Sequence, residues 1–499
     1  MKKIVTLILS AMFLLPLNIS LYKEKIGNIS EDFDPLVDIE VTVEIDYIRS
    51  LETKYLGRTI DKIDEFSDPD FYVKVFINGE EFTSPVWKNQ KYVYEKWSAK
   101  ANVPDDVEFV NIVIQLWDDD IVDKLCDISD NIDDYPYSMD INLTYSIKSG
   151  HWFGDDFNPP PSYWNKDLSG YGRLNGCDDN SIYQNNKDCE IGFSIYQNDY
   201  DGDSIPYWIE VNVFHTDPTK DNRGEDMDND GIPIEWEYKW GHYFRYNWWN
   251  GSIEDRWEYS PLVWNDHKNL DPDEDGLDNY EEYLTSQWGS DPFRKDLFIE
   301  IDQMEAGNGT KESVLPDGAK EMLRTAYDKH NIVYHLDDGC MGGGEKLPFK
   351  LSVTGKDLDN YYTKYFLHDN QSLWRKGVFH YAVIVYDAGF NGYAVKRDMW
   401  QISTKYIEEK CRQLFFVDRD IVYASVFMHE TGHSLAIWNP GVDNDDTIYP
   451  WKWAYWKYTP YKSCMNYRYT YILVDYSDGS HGMNDFDDWG TLSLTHFQD

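Results

Sequence analysis

Catalytic chemistry is concentrated in one short run, His429-Glu430-Thr431-Gly432-His433. Residues four apart share one face of a helix, so these two imidazoles are spaced to grip a single zinc ion. Glu430, beside the first histidine, is placed to take the proton of a water molecule whose pKa zinc lowers toward ~7, while the metal polarises the carbonyl under attack. Val422, Ala424, Val426 and Phe427 precede the run. They are apolar enough to bury the helix, and buried histidines need a partner. Residue types and spacing point to a zinc hydrolase with Glu430 as its general base.

A second chemistry is repeated three times. Asp199, Asp201 and Asp203 are followed by Ile205 and Glu210; Asp226, Asp228 and Asp230 by Ile232 and Glu237; Asp271, Asp273 and Asp275 by Leu277 and Glu282. In each, oxygen ligands fall at positions 1, 3 and 5, a backbone carbonyl at 7 and a carboxylate at 12, the spacing that Ca2+ takes in a tight loop. Gly231 and Gly276 at position 6 suit the turn, whereas Ser204 departs from it. The pieces IPYWIE, FHTDPTKDN and GSDPF resemble thrombospondin type-3 and dockerin-like repeats of exported proteins. That resemblance implies a calcium-binding repeat region over 199–295.

Beyond the histidines stands Ser463-Cys464-Met465-Asn466-Tyr467, and with HETGHSLAI it makes residues 296–499 resemble a metzincin-type zinc protease. The family places a methionine turn beneath the zinc, and several members carry a tyrosine two residues on. By that resemblance Met465 is the hydrophobic floor and Tyr467 donates a hydrogen bond to the tetrahedral intermediate. Ordinary core filling and a structural tyrosine are the plain alternatives. The order of β-sandwich, calcium repeats and DLFIEID before HExxH also resembles a group of exported archaeal peptidases.

The third zinc ligand is where the sequence departs from that family. Metzincins continue with a glycine three residues past the second histidine and a histidine or aspartate three further on; here these places hold Ala436 and Asn439. Alanine does not readily take the left-handed turn that ends the helix there, so the helix is expected to run to about Trp438. Asn439 offers only a neutral amide oxygen, a poor zinc ligand. Asp443 is the first charged oxygen past the Asn439-Pro440-Gly441 break and is the expected ligand. Asp445, Asp446, Asp485, Asp487 and Asp488 are the other candidates, and a turn-capping role is the plain reading of Asp443.

The elements that must position these groups fall into three kinds. Val37–Val43, Phe71–Ile77, Val110–Trp117 and Asn142–Ile147 alternate apolar with polar residues and predict an antiparallel β-sandwich over 37–147. Its phrases SDPDFYVKV and QLWDDD resemble the calcium loops of synaptotagmin-type phospholipid-binding domains. That resemblance implies Asp68, Asp70, Asp118 and Asp120 as Ca2+ ligands and calcium-dependent contact with a membrane or surface; solvated turn aspartates are the alternative. Residues 148–198, with Pro159-Pro160-Pro161, have linker composition. The last part is expected to be an α+β zincin-type catalytic domain. Its strands are expected at Asp296–Ile301, Ile332–Leu336 and His380–Tyr386, with a helix opening at Pro316 and another over about Ile421–Leu435. Gly342-Gly343-Gly344 lacks a following Gly-Lys-Ser/Thr and reads as a turn.

The chain has 499 residues, 41% of them apolar, room for about three cored domains. Forty-six basic against 90 acidic residues leave a formal charge of −44. Such a field repels phosphate backbones and argues against a nucleic-acid partner; it also favours bound cations. Lys2 and Lys3 ahead of the apolar Ile4–Leu17 read as an export signal over 1–20, giving a secreted or cell-surface protein. Export predicts disulfides among Cys126, Cys177, Cys189, Cys340, Cys411 and Cys464, with Cys177–Cys189 first and three pairings open for the rest. The leading expectation is an exported, calcium-stabilised zinc endopeptidase acting on protein or peptide substrates. The alternatives are a non-enzymatic calcium-dependent surface or adhesion protein on a retired protease scaffold, and a zinc hydrolase of non-peptide bonds.

Overall fold

The computed structural model describes residues 38–499 except 56, 57, 61, 65, 66, 130–138, 157–168, 178–186, 248, 250, 308, 443 and 499. The expected export signal and Asp443 therefore lie outside the described residues. Two compact units form, one of residues up to Ser50 with Ile63–Asn265, the other of Leu51–Lys62 with Asp266–Asp499. The division falls inside the repeat region, so the first two acidic loops belong to one unit and the third to the other.

In the first unit the principal strands are β1 (Ile39–Ser50), β2 (Phe71–Ile77), β3 (Glu80–Thr83), β4 (Trp97–Val103), β5 (Phe109–Asp118), β6 (Ile141–Ser146) and β7 (Cys189–Gln197). They form two antiparallel sheets. In one, β1 pairs with β7 from Val41↔Gln197 to Ser50↔Cys189, and with β4. In the other, the order β6-β5-β2-β3 has Phe71 opposite Asp118 and Ile77 opposite Ile112. Alternation explains the pairing: Phe71, Val73, Val75 and Ile77 are fully buried, as are Ile112, Ile114 and Leu116 across from them to within 1%. Within the expected linker over 148–198, Cys189–Gln197 is instead strand β7, paired to β1. Cys189, Ile191, Phe193 and Ile195 alternate inward along β7, and this period-2 pattern is embedded in Asn/Asp-rich surroundings that read as loop.

The expected Cys177–Cys189 bridge is also not what the structure holds. No disulfide joins the described cysteines; the Cys177 thiol lies 3.5 Å from Asp188 Oδ2, and the buried Cys189 thiol is within hydrogen-bonding reach of Cys126. The backbone dictates this, because Cys189 N–H donates to the Asp127 carbonyl at 2.8 Å and draws the two strand ends together.

The second unit is a mixed α/β layer structure. Strands β8 (Lys295–Met304), β9 (Ile332–Asp337), β10 (Phe379–Val385), β11 (Gly392–Lys396) and β12 (Met399–Ser403) lie in the order β9-β8-β10-β12-β11. All neighbours are parallel except β11, an antiparallel terminal strand. Every residue of β8 after Lys295 is buried, as a strand covered on both faces must be. Leu297, Ile299 and Ile301 face helices α1 (Asp317–Asp328) and α3 (Arg419–Ser434), while Phe298 faces Leu358, Phe366 and Tyr381 on the opposite side. Helix α1 buries Ala319, Leu323, Ala326 and Tyr327, the 3–4 spacing that its sequence predicts. Helix α2 (Thr404–Gln413) follows β12, and α3 carries the HExxH run into the core. Of the glycine turn, Gly343 N–H donates to Asp337 Oδ2 at 2.8 Å. No helix among the described residues is long and apolar enough to cross a membrane.

Candidate functional site

Helix α3 is buried from Ile421 to Ser434, and it begins on Asp418, whose side chain accepts from Asp420 N–H. Its last turns bring His429, Glu430 and His433 together, all less than 9% exposed. The two imidazole centroids are 4.8 Å apart and nearly perpendicular. His429 Nδ1 lies 2.9 Å from the Cys464 carbonyl, and a carbonyl can only accept, so Nδ1 carries the proton and the lone pair sits on Nε2. This is the tautomer that a metal-ligating histidine needs.

The segment beneath the helix is fixed by its own bonds. Cys464 N–H donates to the Asp475 carbonyl, Met465 N–H to Ser463 Oγ, and Asn466 Nδ2 to the carbonyls of Tyr458 and Tyr461. Met465 rises from this turn against Gly432, where a Cβ would stand 2.5 Å from its sulfur. Only glycine lets the two approach so closely. Tyr467 lies beside the first histidine, with ring centroids 5.5 Å apart.

The helix does not run on to Trp438. It stops at Ser434, and Ala436 takes the left-handed conformation, φ +62°, at the place where the family has glycine. Ile437 N–H reaches back to the Gly432 carbonyl at 2.9 Å, and the Leu435 carbonyl accepts from Ser493 N–H at 2.9 Å. These bonds, of the Schellman kind, and the burial of Ile437 outweigh the steric cost at alanine. The turn stacks Trp438 on His433 at 4.2 Å and sends the Asn439 amide nitrogen to Tyr461 and Asp488 at 2.8 and 2.7 Å.

The other acids weighed as third ligand divide by their contacts. Asp488 is fully buried and accepts from Tyr461; Asp485 bonds Ser477 and His481; Asp487 caps Gly490; Asp446 pairs with Lys452 at 3.0 Å. Asp445 is exposed, close enough for its charge to act on Tyr471.

Three residues of this neighbourhood are not legible as functional in the sequence. Glu430 lies against β11, where a Cβ on Gly392 would collide with Glu430 Oε1. The preceding Asn391 donates from Nδ2 to the Tyr471 hydroxyl at 2.8 Å. Burial and then the Glu430 charge push the Tyr471 phenol up to about 12. Asn391-Gly392 reads as a generic turn signal, and only the third dimension brings Tyr471 to it.

The three acidic loops share one backbone. Positions 4 and 6 are left-handed in each: Gly202 and Ser204, Asn229 and Gly231, Glu274 and Gly276. Ser204 thus accommodates the turn at φ +73°. Position 6 N–H donates to the first aspartate (Ser204→Asp199, Gly231→Asp226, Gly276→Asp271, 3.0–3.2 Å). The ligand atoms of each Asp triplet lie within 4.8 Å of one another. Ile205, Ile232 and Leu277 are buried below, and Glu210, Glu237 and Glu282 are no more than 1% exposed. Neither carboxylate oxygen of Glu282 has a hydrogen-bond partner among the described residues. Burial first, then Asp296, Asp275 and Asp273, push its carboxyl well above the usual range; Asp273 is held up to about 11 by burial and its neighbouring aspartates.

In the sandwich, Asp70 and Asp118 converge: Asp70 N–H donates to Asp118 Oδ1 at 3.0 Å. Cations already stand there. Lys91 is 3.3 Å from Asp68, and Lys124 pairs with Asp120 and Asp118.

No protein-family model matches the chain, and no curated protein sequence matches it. Among solved structures, human GIVD cytosolic phospholipase A2 is similar at 13% identity over 32% of this chain and 18% of that one, with a TM-score of 0.17. A C2 domain is similar at 12% identity over 32% of this chain and 97% of that one, TM-score 0.17. A domain of the same type from plant extended synaptotagmin 1 is similar at 14% over 32% of this chain and 94% of that one, TM-score 0.17. The chain spans less than a fifth of the human phospholipase.

Two outcomes follow. Ala436→Gly relieves the left-handed alanine and should raise stability by about 1 kcal/mol, read as a higher denaturation midpoint at unchanged slope. In metal-free protein Asp199 is raised to about 6 and Glu210 to about 8, each chiefly by burial and next by aspartates of the same loop. An acid whose folded pKa exceeds its unfolded value favours the fold below roughly pH 4 and loses that contribution as pH rises through the folded value. Stability without metal should therefore fall between about pH 4 and 8, with Ca2+ flattening the fall in urea titrations.

Proposed function

We propose that this chain is an exported, calcium-stabilised zinc metallopeptidase of metzincin-like construction. The observation that carries the reading is the convergence of His429, Glu430 and His433 on one buried turn over Met465, with the His429 tautomer fixed by Cys464. The donor set fits zinc, since two imidazoles with an adjacent carboxylate are ligands and base of a hydrolytic site. His429 and His433 would hold the metal, with Asp443 as third ligand. Zinc, when bound, supplies Lewis acidity that sharpens both the nucleophile and the carbonyl.

The chain's own residues do the rest. Glu430 accepts the proton of the attacking water and returns it to the leaving amine. The backbone edge of β11, beside Glu430, offers an extended peptide a ladder of N–H and C=O groups. Tyr467 donates toward the developing oxyanion from the His429 side. Intact His429, Glu430 and His433 favour chemistry over an adhesion role, since a retired site has no physical reason to keep all three.

Calcium is assigned to the three loops. Their support is the shared left-handed backbone and the buried Glu282, whose carboxylate needs a cation or a proton. The N-terminal sandwich is assigned to surface attachment, with Ca2+ having to compete against Lys91 and Lys124 for its aspartates.

Glu430→Gln keeps the shape and loses the base, so it should retain bound zinc while casein hydrolysis falls at least about a hundredfold. Equal turnover of mutant and wild type would refute the peptidase assignment. Asp443→Ala should lower zinc affinity at least about tenfold in a competition titration with a chelating dye, and unchanged affinity would remove Asp443 from the ligand set.

A further inference from the structure

Tyr471 stands at φ +89°, a conformation that bulky residues rarely adopt, and among the described residues it is the one tyrosine with positive φ. Backbone strain of this kind persists only where the surroundings hold it, and it gathers at functional sites. The surroundings are explicit. Tyr471 N–H donates to Ser425 Oγ at 3.0 Å, one turn before His429 on α3. Its hydroxyl oxygen accepts from Asn391 Nδ2 at 2.8 Å, next to the glycine against which Glu430 lies. The ring is thereby fixed between α3 and the end of the terminal strand β11, on the Glu430 side of the site.

We propose that Tyr471 is a catalytic hydrogen-bond donor, presenting its phenol O–H to the carbonyl oxygen of the scissile peptide as that carbon becomes tetrahedral. The Asn391 amide occupies a lone pair of the phenol oxygen, so the hydroxyl hydrogen is left to donate. The same amide bond withdraws electron density from that oxygen, which makes the phenol a stronger donor when charge develops opposite it. Burial beside Glu430 keeps the phenol protonated through the neutral range. The Tyr467 ring lies beside His429, whereas Tyr471 is bonded on the Glu430 side, so the two tyrosines flank different residues of the site. No covalent bond to the protein forms; the hydrogen bond strengthens as the oxyanion develops and weakens as the carbon–nitrogen bond breaks.

This inference rests on the peptidase reading, and the experiment separates the two. Zinc-loaded full-length wild type, Tyr471→Phe, Asn391→Ala and Glu430→Gln are compared on a fluorogenic peptide. Binding of a phosphinic peptide, a tetrahedral mimic, is measured alongside by calorimetry. Tyr471→Phe should lower kcat by about 10²–10³-fold. Its KM should stay within about threefold and its zinc content and melting temperature should not change. It should also weaken phosphinate binding at least about tenfold while leaving unaffected a reduced-amide peptide, which carries no oxygen on that carbon. Asn391→Ala should lower kcat in the same direction by a smaller factor, and this variant decides the matter where Tyr471→Phe does not fold. A Tyr471→Phe or Asn391→Ala protein that keeps full kcat and phosphinate affinity beside an inactive Glu430→Gln overturns the Tyr471 proposal alone. Wild type as inert as Glu430→Gln, with no phosphinate binding, overturns the peptidase reading and this inference with it.

Discussion

The hydrogen bond from His429 Nδ1–H to the Cys464 carbonyl is the contact on which the candidate site depends. It fixes a tautomer, and it also sets the height of helix α3 above the methionine turn. That turn is itself held by Asp475, Ser463, Tyr458 and Tyr461, so the imidazole is aimed at a carbonyl whose own position is fixed by backbone and side-chain bonds. Gly432 then admits Met465 from below, and Gly392 admits Glu430 from the side. Two glycines thus set the clearances of one helical turn. A methyl group at either place would push the Met465 or Glu430 side chain out of its present position.

A different constraint governs the acidic loops. Each brings like charges together while its position-12 glutamate is sealed from water. Water screens that repulsion least at the buried glutamates, and the loop backbone contributes only N–H dipoles. The loops therefore differ from the surface aspartates of an acidic protein, whose charges are solvated and cheap. The sandwich aspartates are intermediate, since lysines already balance them.

Much of this is legible from residue order because it is local. Strand β2 is expected at Phe71–Ile77 and lies there, and α3 covers Arg419–Ser434 against an expected Ile421–Leu435. Both follow from a period that a single element carries by itself. Strand β7 is hidden in the sequence, because its inward alternation sits among residues of loop composition and its partner β1 is far away along the chain. Ala436 misleads for a related reason. Intrinsic cost at alanine argues for a longer helix, but Ser493 and the burial of Ile437, which no local pattern announces, decide the turn. Asn391 and Tyr471 are 80 residues apart and meet only in the fold.

Asp275 has two duties. One oxygen accepts from Leu277 within the third loop, and the other accepts from Asp296 N–H at the start of β8. Strand β8 is a central member of the sheet that backs α3, so its first residues are tethered to a carboxylate that belongs to an ion loop. The strand end and the loop thus share one carboxylate, so any change in the charge on Asp275 is felt at once by the first hydrogen bond of β8 as well as by the loop.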